Sequence, residues 1–482
     1  MGNKILLINT PDTGGQSLRW NQRLKKKVAT EPPIGLCYIA GMLNTKFPEV
    51  KILDAYAMGL TVEQLMKHIK QYNPAIVGLG CSASIMLNAV HEASKAIKKY
   101  DSAITIVAGG YLQSHKETFL QEKIIDFIVR GEAELTFLEL CDALLNKKDG
   151  DFSKILGLSY LKDNKIIDTP DRPLIKNIDI LPFAARHLLE PAITSEYYKT
   201  PYQYKRSPYT VSVSSRSCPY KCTFCGIHAI WGWDFRAHSA EYVVNEIRYL
   251  QENWGIKNIK YHDDNFLVDT DRVKKISELI IKENIDISWS CLGTIATINN
   301  HSELIRSMKD AGCWHIAFGV ETGNEKVMRD IKKPTTVEQV RKVITSCAEN
   351  GIATRGLFML GHPTDTKETV QETIEFAKSL PFYSVQFAFA IPYPGTELYE
   401  IAKSGVGKFE ENTDFMSGHS MRPVYVPDGL TEDYMIKMQK KAYREFYFRP
   451  EFILRRLGEI RSFSQFNKLA KLAFNHIRVS VL

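Results

Sequence analysis

The stretch Ser217-Cys218-Pro219-Tyr220-Lys221-Cys222-Thr223-Phe224-Cys225-Gly226 sets three cysteines in a C-x3-C-x2-C spacing. Three thiolates in one short loop can each bind one iron of a [4Fe–4S] cluster, which leaves the fourth iron open to a ligand from outside the protein. Clusters are normally held by four cysteines, so a compact set of three points to a cluster that does chemistry as well as electron transfer. The plain alternatives are a zinc site or buried free thiols. Zinc wants four ligands, usually in paired C-x2-C units, and no second pair is present. The other six cysteines, Cys37, Cys81, Cys141, Cys291, Cys313 and Cys347, are scattered. An odd count without a regular framework argues for a reducing compartment, with the isolated six as small buried apolar residues.

Downstream and upstream of this loop the apolar pattern alternates between strand and helix. From residue 209 the pattern predicts strands over 210–215, 256–261, 287–292, 315–320, 354–360 and 384–391. Helical runs separate them over 240–254, 272–282, 303–311, 337–350 and 367–379. Six such units suit a partial (β/α)6 TIM-type barrel, whose chemistry sits at the C-terminal ends of the strands. The cysteine loop follows the first of these strands. Polar runs end three others: Tyr261-His262-Asp263-Asp264-Asn265-Phe266, Gly319-Val320-Glu321-Thr322-Gly323, and the stretch from Thr354 through Arg355 and Leu360 to Pro363.

Residues 1–150 read as an α/β domain with a doubly wound, flavodoxin-like parallel sheet: short apolar runs over 4–9, 50–54, 75–80, 103–108 and 125–129, separated by helices. Its strand ends carry Thr10, Ser82, Ser84, Gly109-Gly110 and Gly131-Glu132. Ligands bind such sheets beyond the carboxyl ends of the strands, and glycine there lets a large flat ligand approach the backbone. No G-x-G-x-x-G follows the first strand, which disfavours a dinucleotide. Residues 151–205 read as a hairpin and an extended linker, 206–405 as the barrel, and 406–482 as a helical, basic C-terminal region.

The 482 residues carry a net charge of +7. From Lys440 onward there are ten Lys/Arg against three Asp/Glu, so the tail alone matches the excess. A basic tail rich in aromatics (Phe446, Tyr447, Phe448, Phe452, Phe463, Phe466, Phe474) suits either an anionic membrane surface or an acidic substrate; a helical tail packed on its own protein is the structural alternative. No secretory signal or membrane span is legible, and Met1-Gly2 lacks the Ser or Thr at position 6 that myristoylation needs. The expected location is cytoplasmic.

The cysteine run resembles the cluster motif of the radical S-adenosylmethionine (radical SAM) superfamily, and the N-terminal domain resembles the cobalamin-binding domain that precedes many such barrels. Pro32-Pro33-Ile34-Gly35-Leu36, Gly109-Gly110 and Arg130-Gly131-Glu132-Ala133-Glu134 carry the second resemblance, with Tyr111-Leu112-Gln113 standing where relatives often show Pro and His. There is no D-x-H-x-x-G, so the resemblance implies a corrinoid without a protein histidine beneath the cobalt.

Three cofactors follow: a [4Fe–4S] cluster on Cys218, Cys222 and Cys225; SAM near Phe224, Asp263, Asp264, Glu321, Arg355 and Leu360; and cobalamin near Thr10, Ser82, Ser84, Gly109, Gly110, Tyr111, Gly131 and Glu132. Asp263 and Asp264 would take the SAM amine or orient a neighbour, with helix capping by Asp264 or Asn265 as the structural alternative. Arg355 would pair with the SAM carboxylate, with a surface ion pair as its alternative.

The implied activity is reductive cleavage of SAM to a 5′-deoxyadenosyl radical, hydrogen abstraction from an unactivated carbon, and methyl transfer from methylcobalamin. Radical cyclisation or rearrangement of a lipid- or tetrapyrrole-like substrate is the rival. A methylthiotransferase and a non-catalytic corrinoid-binding protein rank below it, the former because Cys37, Cys81 and Cys141 do not fall at three strand ends. The expected partners are a small-molecule or lipid-like substrate and an electron donor such as flavodoxin or ferredoxin. Nucleic acid is not expected, and peripheral membrane contact through the tail is left open.

Overall fold

The computed structural model describes residues 3–11, 31–82, 86–147, 151–195, 198, 204–299, 301–410 and 422–458. Two sheets organise it. The first has eight strands: β1 (Ile5–Asn9), β2 (Val50–Asp54), β3 (Ile76–Cys81), β4 (Thr105–Gly110), β5 (Phe127–Val129), β6 (Leu158–Lys162), β7 (Lys165–Asp168) and β8 (Leu189–Glu190). Their order is β7-β6-β5-β4-β3-β1-β2-β8. β1 pairs in parallel with both β2 and β3, and Ile5, Leu6, Leu7 and Ile8 are all buried, as a central strand covered on both faces requires. The chain order reverses around β1, which opens a crevice at the carboxyl ends of β1 and β3.

The hairpin read from sequence as part of the linker lies on this sheet: β6 pairs antiparallel with β5 and with β7. The crossing that follows also has structural content. Its Arg186, 1 % exposed, reaches beneath the barrel, where Nη1 pairs with Glu246 at 2.9 Å and Nη2 donates to the Val211 carbonyl at 2.7 Å.

The second sheet has six parallel strands in the order β16-β15-β14-β13-β12-β9. These are β9 (Tyr209–Ser212), β12 (Asn258–Tyr261), β13 (Ser288–Gly293), β14 (Cys313–Glu321), β15 (Ala353–Leu360) and β16 (Ser384–Phe389). Two ribbons flank them: β10 (Ser215–Arg216) with β11 (Arg236–Ala237), and β17 (Lys408–Phe409) with β18 (Tyr425–Val426). Burial alternates strictly along β15 and β16. Thr354, Gly356, Phe358 and Leu360 therefore face the outer helices, while Arg355, Leu357 and Met359 face the lumen.

An open barrel has edges to protect. The helix Glu432–Tyr447 lies along β16 and places Met435, Met438, Ala442 and Phe446 in the barrel core. Two of its tyrosines satisfy the outward backbone of β16. Tyr447 Oη accepts from Val385 N–H at 3.1 Å and donates to its carbonyl at 3.0 Å; Tyr443 Oη does the same at Phe387, at 3.0 and 3.3 Å. Arg449 and Arg455 donate to the carbonyls of Lys378, Pro381 and Phe382. So far as it is described, the basic aromatic region packs on its own barrel. Phe463, Phe466 and Phe474 lie outside the described residues. Among the described residues no helix is long and apolar enough to cross a membrane.

Candidate active site

The cysteine loop is held from both ends. Arg216, the residue before Ser217, lies in the β10–β11 ribbon. Its guanidinium meets Glu132 at 2.6 Å and Glu134 at 2.5 Å, and Arg236 meets the same Glu132 at 2.6 Å. All four side chains are buried. Two of them come from the N-terminal domain and two from the barrel, so the Arg130–Glu134 run clamps the cluster loop. Burial alone would raise the Glu132 pKa, but the arginines hold it below the ordinary carboxylate range. Glu132 also accepts from the Ile175 N–H at 2.7 Å. The sequence places Glu132 against cobalamin; in the structure both its oxygens accept from protein groups.

Ser217 follows with φ +70, a left-handed conformation that costs a non-glycine residue. Its N–H donates to Asp264 Oδ2 at 3.0 Å and its hydroxyl to the Gly232 carbonyl at 2.7 Å. His228 stacks on Trp233 with ring centroids 3.5 Å apart and bonds the carbonyls of Tyr220 and Gly232. These contacts give the aromatic stretch after the third cysteine a local role in shaping the loop.

The two adjacent aspartates divide. Asp263 is 2 % exposed and fully engaged: it accepts from the Ser214 N–H at 2.7 Å and from the hydroxyls of Ser214 and Ser215 at 2.6 Å. It pins the end of β12 to the start of the loop, with both carboxylate oxygens accepting from protein donors. Asp264 lines the cavity and accepts from the Ser217 N–H through Oδ2. Burial pushes its pKa up to about 6, against the Ser217 bond. Asn265, fully buried, points its amide at Cys218 Sγ at 3.8 Å and at Thr294 Oγ1 at 3.0 Å. A donor on a ligating sulfur is a means of tuning a cluster. In the sequence Asn265 reads only as a helix cap.

Glu321 sits where β14 slips register. Gly319 pairs with Leu357 and Glu321 with Phe358, leaving Val320 unpaired. The bulge and a φ of +69 turn Glu321 into the cavity, where it meets Lys333 Nζ at 3.0 Å. Gly319 makes room for this pair, since a Cβ there would lie 2.5 Å from Glu321 Oε1 and 2.8 Å from Lys333 Nζ. Burial works against the Lys333 charge, yet Glu321 and Cys222 beside it keep its pKa above the ordinary value. Lys333, like Asn265, is a site residue that sequence reasoning missed, because its partners Glu321 and Cys222 come from other elements.

Leu360 is buried on the helix-facing side of β15 and its carbonyl accepts from the Ala390 N–H at 2.9 Å, so its side chain does not reach the cavity. Arg355 stands apart from the cluster, near the start of β15.

One cavity of about 660 Å3 joins these groups; Cys218, Cys222, Cys225, Phe224, Asp264, Glu321, Lys333 and Arg355 all line it. The three thiols fit a cluster. Burial pushes the Cys222 thiol up to about 11, so iron must displace its proton. Phe224, which would border SAM, lines the cavity, and 5.8 Å from its ring lies His362, fully buried with neither ring nitrogen hydrogen-bonded.

Cobalamin fits the glycine edge of the first sheet. Thr10, after β1, is fully buried with an unpartnered Oγ1. At Gly110, φ is +76 and a Cβ would lie 2.3 Å from the Cys81 carbonyl oxygen; at Gly109 it would lie 3.3 Å from that of Val129. Gly131 has φ +67 with open space beside it. Ser82 is exposed at the same edge, and Ser84 lies outside the described residues. Burial raises the Tyr111 pKa, and Tyr393, in the loop after β16, is near enough to add to the effect.

Comparison with known proteins agrees with this layout. Residues 212–377 match the radical SAM superfamily and residues 26–141 the B12 binding domain. The chain is 34 % identical to an uncharacterized methyltransferase of Pyrococcus horikoshii, over 95 % of this chain and 96 % of that one. It is 26 % identical to cytidylyl-2-hydroxyethylphosphonate methyltransferase of Streptomyces wedmorensis, over 86 % of each chain. It is also 26 % identical to the anaerobic magnesium-protoporphyrin IX monomethyl ester cyclase of Rubrivivax gelatinosus, over 88 % and 75 %. The fold matches that of the radical SAM methyltransferase TsrM from Kitasatospora setae, solved with cobalamin and a [4Fe-4S] cluster bound, with a TM-score of 0.68 and 17 % identity over 94 % of this chain and 90 % of that one. With three cysteines at the mouth of a six-stranded barrel and a glycine-edged sheet N-terminal to it, the chain belongs to the cobalamin-dependent radical SAM family.

Proposed function

We propose that the protein is a methyltransferase that methylates an unactivated carbon of a small molecule held in the barrel cavity. When bound, the cluster and SAM supply a carbon-centred radical and cobalamin supplies a methyl group, hard chemistry that belongs to the cofactors. The protein's part is placement and exclusion of water. Cys218, Cys222 and Cys225 hold the cluster. Asp264, Glu321, Lys333 and Phe224 border the space for SAM, the Glu321–Lys333 pair offering charge of both signs to an amino acid moiety. Thr10, Ser82, Gly109, Gly110, Tyr111 and Gly131 border the space for cobalamin.

The observation that carries this reading is the clamp of Glu132 and Glu134 on Arg216, which ties the cluster loop to the domain that would present the methyl donor. A flavodoxin or ferredoxin is the reductant this chemistry calls for, and the cytoplasm suits an oxygen-sensitive cluster.

The test is anaerobic incubation of reconstituted protein with SAM, cobalamin, a reductant and candidate substrates. The expected products are S-adenosylhomocysteine, 5′-deoxyadenosine and a substrate heavier by one methyl group. Failure to form either SAM-derived product with any candidate would count against the proposal. The similarity to a cyclase favours one second reading, cyclisation, and product mass separates the two, since cyclisation adds no methyl.

A further inference from the structure

The cavity runs from the cysteine loop down the lumen, and its floor is polar. Lys260, Ser290, His315, Arg355 and Gln386 each stand third in their strands and all line it. Arg355 precedes Leu360 by five residues, roughly 16 Å along the strand, so the floor is well separated from the cluster end. Trp314 joins the floor through a second irregularity in β14: Cys313 pairs with Trp289 and His315 with Ser290, leaving Trp314 unpaired. Bulges of this kind re-aim side chains next to active sites.

The charges of the floor do not balance. Lys260 is bound by Glu31 at 2.9 Å, and His262 meets the same carboxylate at 2.8 Å. His315 is kept neutral by burial, with Arg355 and Lys260 adding to the effect. Arg355 donates through Nη2 to Gln386 Oε1 at 2.7 Å and makes no ion pair among the described residues. Its Nε is buried without a partner, and so is Trp314 Nε1. Buried donors without acceptors are rare, and the half-buried Arg355 guanidinium has no anion beside it among the described residues. Here a guanidinium and an indole N–H line one cavity, with the Gln386 amide beside them.

We propose that this floor is the substrate-recognition site, and that the substrate carries an oxyanion, either a carboxylate or a phosphate-type group, which Arg355 holds as a fork with help from Trp314 Nε1. The anchored end then lies away from the cluster, and the rest of the substrate points up the lumen toward the SAM end. Because SAM shares the cavity, the anchored part is small. The inference rests on the reading of this cavity as the reaction chamber.

The test needs no turnover. Full-length protein, reconstituted anaerobically and saturated with SAM, is titrated calorimetrically with phenylphosphonate, benzoate and the neutral benzamide. At least one anion should bind saturably and about tenfold or more tighter than benzamide; which anion binds tighter tells a phosphate-type group from a carboxylate. Arg355→Gln should abolish that preference while SAM affinity stays within about twofold of wild type. Equal binding of anions and amide would overturn the proposal. So would a tenfold loss of SAM affinity in the variant, which would return Arg355 to the SAM carboxylate. Should the variant fail to fold, the comparison of anion with amide on wild-type protein decides alone. Absent methylation with intact anion binding would sink the function proposed above and leave this site standing.

Discussion

The clamp between the domains and the cavity inside the barrel are both built from buried charge, and they treat it in opposite ways. In the clamp, Glu132, Glu134, Arg216 and Arg236 are matched, two carboxylates to two guanidinia. Asp263 likewise has three protein donors. In the cavity, Asp264 accepts a bond from Ser217 N–H and keeps its other oxygen toward the open space, and Arg355 keeps an unpartnered Nε. The lesson is that type and position do not tell a structural charge from a binding one. Glu132 and Asp263 carry the motifs, yet protein groups engage both their oxygens, while Asp264 and Arg355 line the cavity with capacity left.

The comparison can be broken where it predicts most. Cys222→Ala removes a ligand from the open side. Iron and sulfide content and all turnover should be lost, while apo-protein stability changes by about 1 kcal/mol or less; iron analysis and denaturation of one preparation measure both.

Next in size is the clamp. Glu132→Ala leaves Arg216 and Arg236 without their shared carboxylate and should cost about 3–5 kcal/mol in chemical denaturation. A cost below about 1 kcal/mol would mean that the clamp is not a frame at all.

Asp264 is a subtler probe. Its folded pKa of about 6 lies above the unfolded value of about 3.9. The native state therefore holds the proton more tightly between these values. Stability contributed by this group is complete below about pH 4 and is lost as pH rises through about 6, on the order of 2–3 kcal/mol. Denaturation of cluster-free protein at several pH values should show that slope, and Asp264→Asn should flatten it. An unchanged slope in the variant would place Asp264 with the engaged charges.

The smallest effect is expected at the barrel edge. Tyr447→Phe removes a hydroxyl that both accepts from and donates to Val385, and should lower stability by about 1 kcal/mol with no change in cofactor content.

Much of this was legible along the chain. Every barrel strand predicted from the apolar pattern is present to within a few residues, because β15 and β16 leave a period-two record and β9, β12 and β13 are short runs buried nearly throughout. The cysteine spacing is local chemistry and needed no fold to be read. The roles of Glu132, Asp263 and Leu360 were not legible, since each depends on partners from another element: Arg216 lies 84 residues from Glu132. Lys333 and Asn265 were missed for the same reason. The hairpin of β6 and β7 was legible as a hairpin, but its place on the first sheet was not, because pairing with β5 is a contact at distance.

The sequence by itself determined the elements and the cluster ligands, since hydrophobic periodicity and a ten-residue loop are properties of neighbouring residues. The tertiary structure alone decided which charges are engaged and which are open. That outcome is set by desolvation and by partners brought together from both domains, and neither exists until the chain has folded.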